Sequence, residues 1–129
     1  MIKLQLKNHK VWQDFTEIVE NLDAKILVNE HLELCDYQLC GYWDEQDKYY
    51  ETINLPRNLE AELISSSIGV TNQERFLQLK FNLKFSVVET NFAVETTYQK
   101  VGELILVYNE NLEFIDERWF LDSDYLQHL

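Results

Sequence analysis

The 129-residue chain carries 23 acidic against 11 basic residues, a net charge of −12, in a sequence that is 46% apolar and 13% aromatic. That apolar content supports one core-bearing domain over residues 1–129 and excludes a disordered chain. The negative field repels phosphate backbones, so no direct nucleic-acid binding is expected.

The chain opens MIKLQLKNHK, where Lys3, Lys7 and Lys10 interrupt any apolar run. No signal-peptide core is present there, and no run approaches the ~18 apolar residues of a membrane span. A cytoplasmic protein with no membrane partner is the expectation. Ile2, Leu4 and Leu6 alternate with polar residues and suit a short first strand. Val11, Phe15, Ile18 and Leu22, with Trp12 and Val19 beside them, recur at helical spacing and predict a helix at about 9–22.

"AKILVN" (24–29) reads as a short strand. Residues 33–55 read as a hairpin with arms "YQLCGYW" and "KYYETINL" around the turn "DEQD". Pro56 suits the first turn of a helix whose stripe is Leu59, Leu63 and Ile64 and whose stop is Gly69. Leu77, Leu79, Phe81, Leu83, Phe85 and Val87 then alternate with Gln78, Lys80, Asn82, Lys84 and Ser86. This is the most regular strand signal in the chain. Its polar face is expected to meet water, with Glu95, Thr97 and Gln99 as neighbours on the next strand.

"ETN" (89–91) turns into "FAVETTYQ", with Phe92, Val94 and Tyr98 facing in, and "ELILVY" (103–108) reads as a central strand. "NEN" (109–111) makes a hairpin turn. In "LEFIDERWFL" the alternation changes parity, which a β-bulge near Asp116–Glu117 would reconcile. "DSDYLQHL" closes with a helical turn capped by Ser123 or Asp122. The expected fold class is α+β. It consists of a curved antiparallel sheet with helices packed on one face, in the order N-terminal helix, hairpin, second helix and C-terminal four-stranded meander.

Cys35 and Cys40 do not make a disulfide framework. On one strand they would lie about 16 Å apart on opposite faces, beyond the ~7 Å that a bridge spans. Buried reduced thiols are expected. Phosphate-cradling glycine loops, zinc-hydrolase and C-x-x-C motifs and a nucleophile elbow are all missing from the sequence. No cofactor, no metal site and no enzymatic activity are therefore expected, and no catalytic residue is named.

Three constellations remain. His31, Glu33, Cys35, Asp36 and Cys40 hold metal-ligand types, but on a strand Cys40 would face away from the others. The hairpin tip gathers Tyr42, Trp43, Asp44, Glu45, Asp47, Tyr49, Tyr50 and Glu51, with Lys48 its only base. Aromatics carry binding energy at interfaces and carboxylates steer a basic partner; the competing role is cross-strand packing. The C-terminal hairpin holds Glu110, Glu113, Asp116, Glu117, Asp122 and Asp124 against Arg118, and reads as a solvated, salt-bridged edge.

The functional expectation is a small acidic module of the inhibitor, antitoxin or immunity kind. It would engage a protein partner with a basic surface through the hairpin tip. One alternative is a cone-shaped sheet domain with a small-ligand pocket walled by Trp12, Phe15, Phe81, Phe85, Tyr98, Phe114 and Trp119. Another is a homodimer subunit using the sheet face around Lys80 and Lys84.

Overall fold

The computed structural model describes residues 10–87 and 97–129. The elements are α1 (Lys10–Glu20), α2 (Ala24–Leu34), β1 (Gln38–Trp43), β2 (Tyr49–Asn54), β3 (Leu59–Thr71), β4 (Glu74–Val87), β5 (Thr97–Asn109), β6 (Phe114–Leu121) and α3 (Ser123–Gln127). Strands β1 and β2 form a separate two-stranded sheet, while β3 to β6 form an antiparallel meander in sequence order. The protein is mixed α+β, as expected. The first strand expected around Ile2–Leu6, the turn at 89–91 and Glu95 lie outside the described residues.

Helix α1 falls where its 3.6-residue spacing puts it, but the segment after it is not a strand. "AKILVN" begins α2. Asp23 caps this helix, its carboxylate accepting from the Ile26 N–H at 3.1 Å. Val28 and Leu32, one turn apart, are both fully buried. A short apolar run has no period of its own, so the cap and the i, i+4 pair decide the outcome. Burying each of these side chains contributes roughly 1.5–3 kcal/mol. The second helix therefore precedes the hairpin instead of following it.

The segment after Pro56 is strand β3 instead of a helix. Leu59, Ala61 and Leu63 alternate with Glu60 and Glu62, and they pair with Phe85, Leu83 and Phe81 of β4. Period two prevails over the stripe read at Leu59, Leu63 and Ile64, and the three serines at 65–67 continue the strand after a bulge between Leu63 and Ser65. Gly69 lies within β3 and ends nothing. Asn72 and Gln73, at φ 52° and 66°, make the two-residue turn into β4.

Strand β4 follows the alternation read over residues 77–87: Leu77, Leu79, Phe81 and Leu83 are buried. Thr97–Gln99, the described part of the strand expected over 92–99, and the strand expected over 103–108 belong to one strand, β5, bent by a bulge at Val101–Gly102 opposite Leu83 and Lys84; Phe92 and Val94 lie outside the described residues. That bulge also corrects Tyr98. It pairs with Ser86 on the outer face, and Lys84 Nζ lies 4.4 Å from its ring centroid. The bulge expected near Asp116–Glu117 falls at Ile115, between Phe114 and Asp116, one residue before the expected position. In the turn at 109–111, the Asn109 side chain accepts from the Asn111 and Glu113 N–H groups.

The inner face of the meander meets α2, the base of the β1–β2 hairpin and α3 in one core. Tyr125 of α3 donates to the Asn54 carbonyl at 3.2 Å and packs edge-on against Phe85. On the outer face, Lys80 pairs with Glu103 at 3.2 Å and Lys100 reaches the same carboxylate at 3.9 Å, beside Ile105 and Val107, which are buried on this face apart from the main core. Glu103 thus takes the place expected of Glu95. Cys35 and Cys40 are free but exposed, contrary to expectation. Cys35 caps α2 and Cys40 lies on the solvent side of β1, so they share no strand.

Candidate functional site

The β1–β2 hairpin departs from simple alternation, and its tip owes its shape to that. Leu39 and Ile53 face the core at its base; three residues further on, Tyr42 and Tyr50 face the core again. Gly41, at φ 70°, absorbs the local twist that brings a second layer inward out of phase. Tyr42 Oη accepts from the Leu121 N–H at 3.0 Å, which ties the hairpin to the end of β6.

Trp43 and Tyr49 are left outward as a directly opposed pair, ring centroids 4.9 Å apart, with 61% and 50% of their surfaces exposed. Cross-strand stacking of this kind stabilises a ribbon by up to about 1 kcal/mol. It leaves much of both rings in water, where aromatic surface is available to a partner.

The eight carboxylate and aromatic residues of the tip divide by role. Asp44 is the clasp of the turn. Its carboxylate accepts from the Lys48 N–H at 2.8 Å, the Gln46 N–H at 2.9 Å and the Tyr50 hydroxyl at 3.2 Å. The Lys48 amide is the main cause holding its pKa below the ordinary value of 3.8, and the Gln46 amide, the Tyr50 hydroxyl and the Lys48 charge add to it. Asp47 occupies the left-handed turn position at φ 61°. Lys48, the only base, sits 5.0 Å above the Tyr50 ring. Glu45, Asp47 and Glu51 are exposed and form no ion pair among the described residues.

Sequence reading did not foresee what lies across from the tip. Asp44, Glu45, Lys48 and Tyr50 face Leu121, Asp122, Ser123 and Leu126 over a cleft of about 590 Å³. Two acidic groups separated by some 75 residues thus share one wall and one floor. Asp122, the residue before α3, makes no side-chain capping bond, so its carboxylate remains available to the cleft.

The other candidate groups separate. His31 leaves its neighbours Glu33, Cys35, Asp36 and Cys40, bonds Glu117 of β6 at 2.5 Å and stacks edge-on against Phe114. The bond from His31 is the main reason that the Glu117 carboxyl titrates below its ordinary value of 4.5; burial opposes it, and the His31 charge and the Trp119 indole N–H add smaller lowering effects. Arg57 takes Asp36, Arg75 takes Glu110 and Arg118 takes Asp116. Glu113 and Asp124 stay exposed. Among the described residues no three His, Cys, Asp or Glu side chains converge as a metal site would require.

The seven residues named as pocket walls are spread over the molecule. Phe81 is sealed in the core, Phe85 and Trp119 border it, Tyr98 lies on the outer face, and Trp12 and Phe114 are exposed. Only Phe15 lines the apolar groove of about 460 Å³ between α1 and the β3–β4 turn.

Because a depressed carboxyl pKa favours the ionised, folded form, the His31–Glu117 contact contributes stability above pH 4.5 and loses it as the pH falls through the lower folded value. Glu117→Gln should therefore flatten the acid limb of a pH–stability profile. An acid limb identical to that of the parent would refute the assignment.

Fold and tip together define a class: an antiparallel α+β domain that projects an acidic, aromatic hairpin from one end of its core. No helix among the described residues is long and apolar enough to cross a membrane. Comparison with protein-family models, with characterised proteins and with solved structures returns no match.

Proposed function

We propose that this chain is an acidic protein-binding module, without catalytic activity, that engages a basic partner through the β1–β2 tip. The observation that carries the reading is the exposed Trp43–Tyr49 stack flanked by Glu45, Asp47 and Glu51, carboxylates that pair with no cation among the described residues. Rings of this kind supply the buried anchor of an interface, and the carboxylates accelerate encounter with positive charge. The cleft beside Asp122 would take a lysine or arginine side chain from the partner.

The test is retention of host proteins on the immobilised chain at low and high salt. A basic protein should be held at low salt and released at high salt. The variant Trp43→Ala, Glu45→Lys, Asp47→Lys should weaken that binding by about 100-fold or more, since an aromatic anchor contributes ~2 kcal/mol and two reversed charges add to the loss. Asp44 is left intact because replacing it would open the turn. Unchanged retention by the triple variant would refute the patch.

A further inference from the structure

The meander has two edges, and they are built differently. The β6 edge carries Asp116, Glu117 and Arg118 and is interrupted by the bulge at Ile115. Charges and bulges are the devices by which sheets block pairing at an edge. The β3 edge lacks them over most of its length. From Leu63 to Thr71 it reads LISSSIGVT, nine residues with no charge and no proline in a chain of net charge −12. Its one bulge, at Leu63–Ser65, lies at the start of that stretch. No described residue bonds to the outward side of this strand.

The two-residue turn settles which groups face outward. Thr71 and Glu74 close it, so Gly69 and Ser67 exchange hydrogen bonds with β4. The N–H and C=O groups of Ser66, Ile68 and Val70 therefore point to the free edge. Ile68 and Val70 keep 44% and 69% of their surfaces exposed. They lie beside the groove formed with Val11, Phe15 and Ile18 of α1.

We propose that the β3 edge pairs with the β3 edge of a second copy of this chain, antiparallel about a two-fold axis at Ile68. In that register Ile68 faces its own symmetry mate and Ser66 faces Val70, every one of them an outward-bonding residue, and Ser65 faces Thr71. The match is self-complementary, as an isologous interface must be. The axis stands perpendicular to the sheet, so both copies present Ile68, Val70 and the flank of α1 on the same side. Each covers apolar surface that the other leaves in water. A strand of a basic partner would find no charge to meet here, whereas a second acidic copy meets the one long edge where its own charge is missing. This interface differs from the sheet face around Lys80 and Lys84, whose lysines are engaged by Glu103 and Tyr98.

Electrostatics separate this proposal from the tip's function. Two chains of net charge −12 repel, so salt should strengthen self-association, while it weakens binding of a basic partner. Sedimentation equilibrium of the full chain, from micromolar to sub-millimolar, at low and high salt, should show a reversible dimer that tightens with salt. Ile68→Lys sets like charges against each other at the axis and should raise the dimer Kd by roughly tenfold or more. Val70→Lys, at the more exposed position, should do the same and decides the matter if the first variant fails to fold. The tip variant should dimerise as the parent does. Amide exchange at Ser66, Ile68 and Val70 should slow with rising protein concentration. A monomer at every concentration in both salts would overturn the proposal. So would a dimer whose Kd ignores both lysines, or whose formation leaves those three amides unprotected.

Discussion

Gly102→Ala should lower stability by about 3 kcal/mol or more, a large share of the ~5–15 kcal/mol that holds a domain of this size together. Gly102 is buried in β5 at φ 153°, in the bulge opposite Leu83. A Cβ there would stand 2.3 Å from the Phe120 carbonyl oxygen and 2.7 Å from the Leu121 Cα. Both are backbone atoms of β6, and backbone cannot rotate aside as a side chain would. Either β6 shifts, taking with it the Leu121 N–H that holds Tyr42, or β5 straightens and loses the bulge. Thermal melts should show a drop of roughly 10 °C or more. Gly41→Ala is the control: it is strained at φ 70° but meets only the Tyr49 hydroxyl at 3.6 Å, so about 1 kcal/mol is expected. Equal losses in the two variants would show that the contact with β6 costs nothing.

The second large effect is expected at Phe81. This ring is fully buried in the middle of β4, with Leu63 across one side and Leu104 across the other. Truncation removes apolar surface and leaves a void that strands on both sides prevent from collapsing. Phe81→Ala should cost about 3–5 kcal/mol, and Phe81→Leu much less. Urea denaturation checks this through the midpoint at constant slope. A midpoint unchanged in Phe81→Ala would mean that the sheet is not packed as described.

The parts of the fold legible in the sequence are those where one period runs long enough to exclude the other. Residues 77–87 alternate without a break, and α1 repeats its apolar positions over three turns. The hairpin at 38–54 is legible from its turn chemistry. The errors share a cause. "AKILVN" is too short and too apolar to show a period, and its helix is decided by Asp23 and by Leu32 further on. Leu59, Leu63 and Ile64 fit a helical stripe, yet Ala61 completes an equally good strand face. Only the partner strand β4 separates the two readings. Residues 100–102 fall between the two strands read at 92–99 and 103–108 because a bulge and a break leave the same mark on a sequence.

The site divides in a similar way. Its eight tip residues lie close together in the chain, so composition alone marked them. Nothing local could reveal that Asp122 lies across the cleft, or that His31 takes Glu117 instead of its own neighbours. Those pairings depend on where β6 ends and which face of α2 is turned inward, both of which are set by packing.

The Asp44 clasp has one more implication. Its carboxylate oxygens are committed to the Lys48 and Gln46 amides and the Tyr50 hydroxyl, and Gly41 and the Tyr42–Leu121 bond fix the ribbon behind it. The turn of the tip is therefore braced by its own bonds. Under the proposed function, a turn braced in this way has less conformational entropy to lose on binding, so a small contact area would suffice to hold the partner.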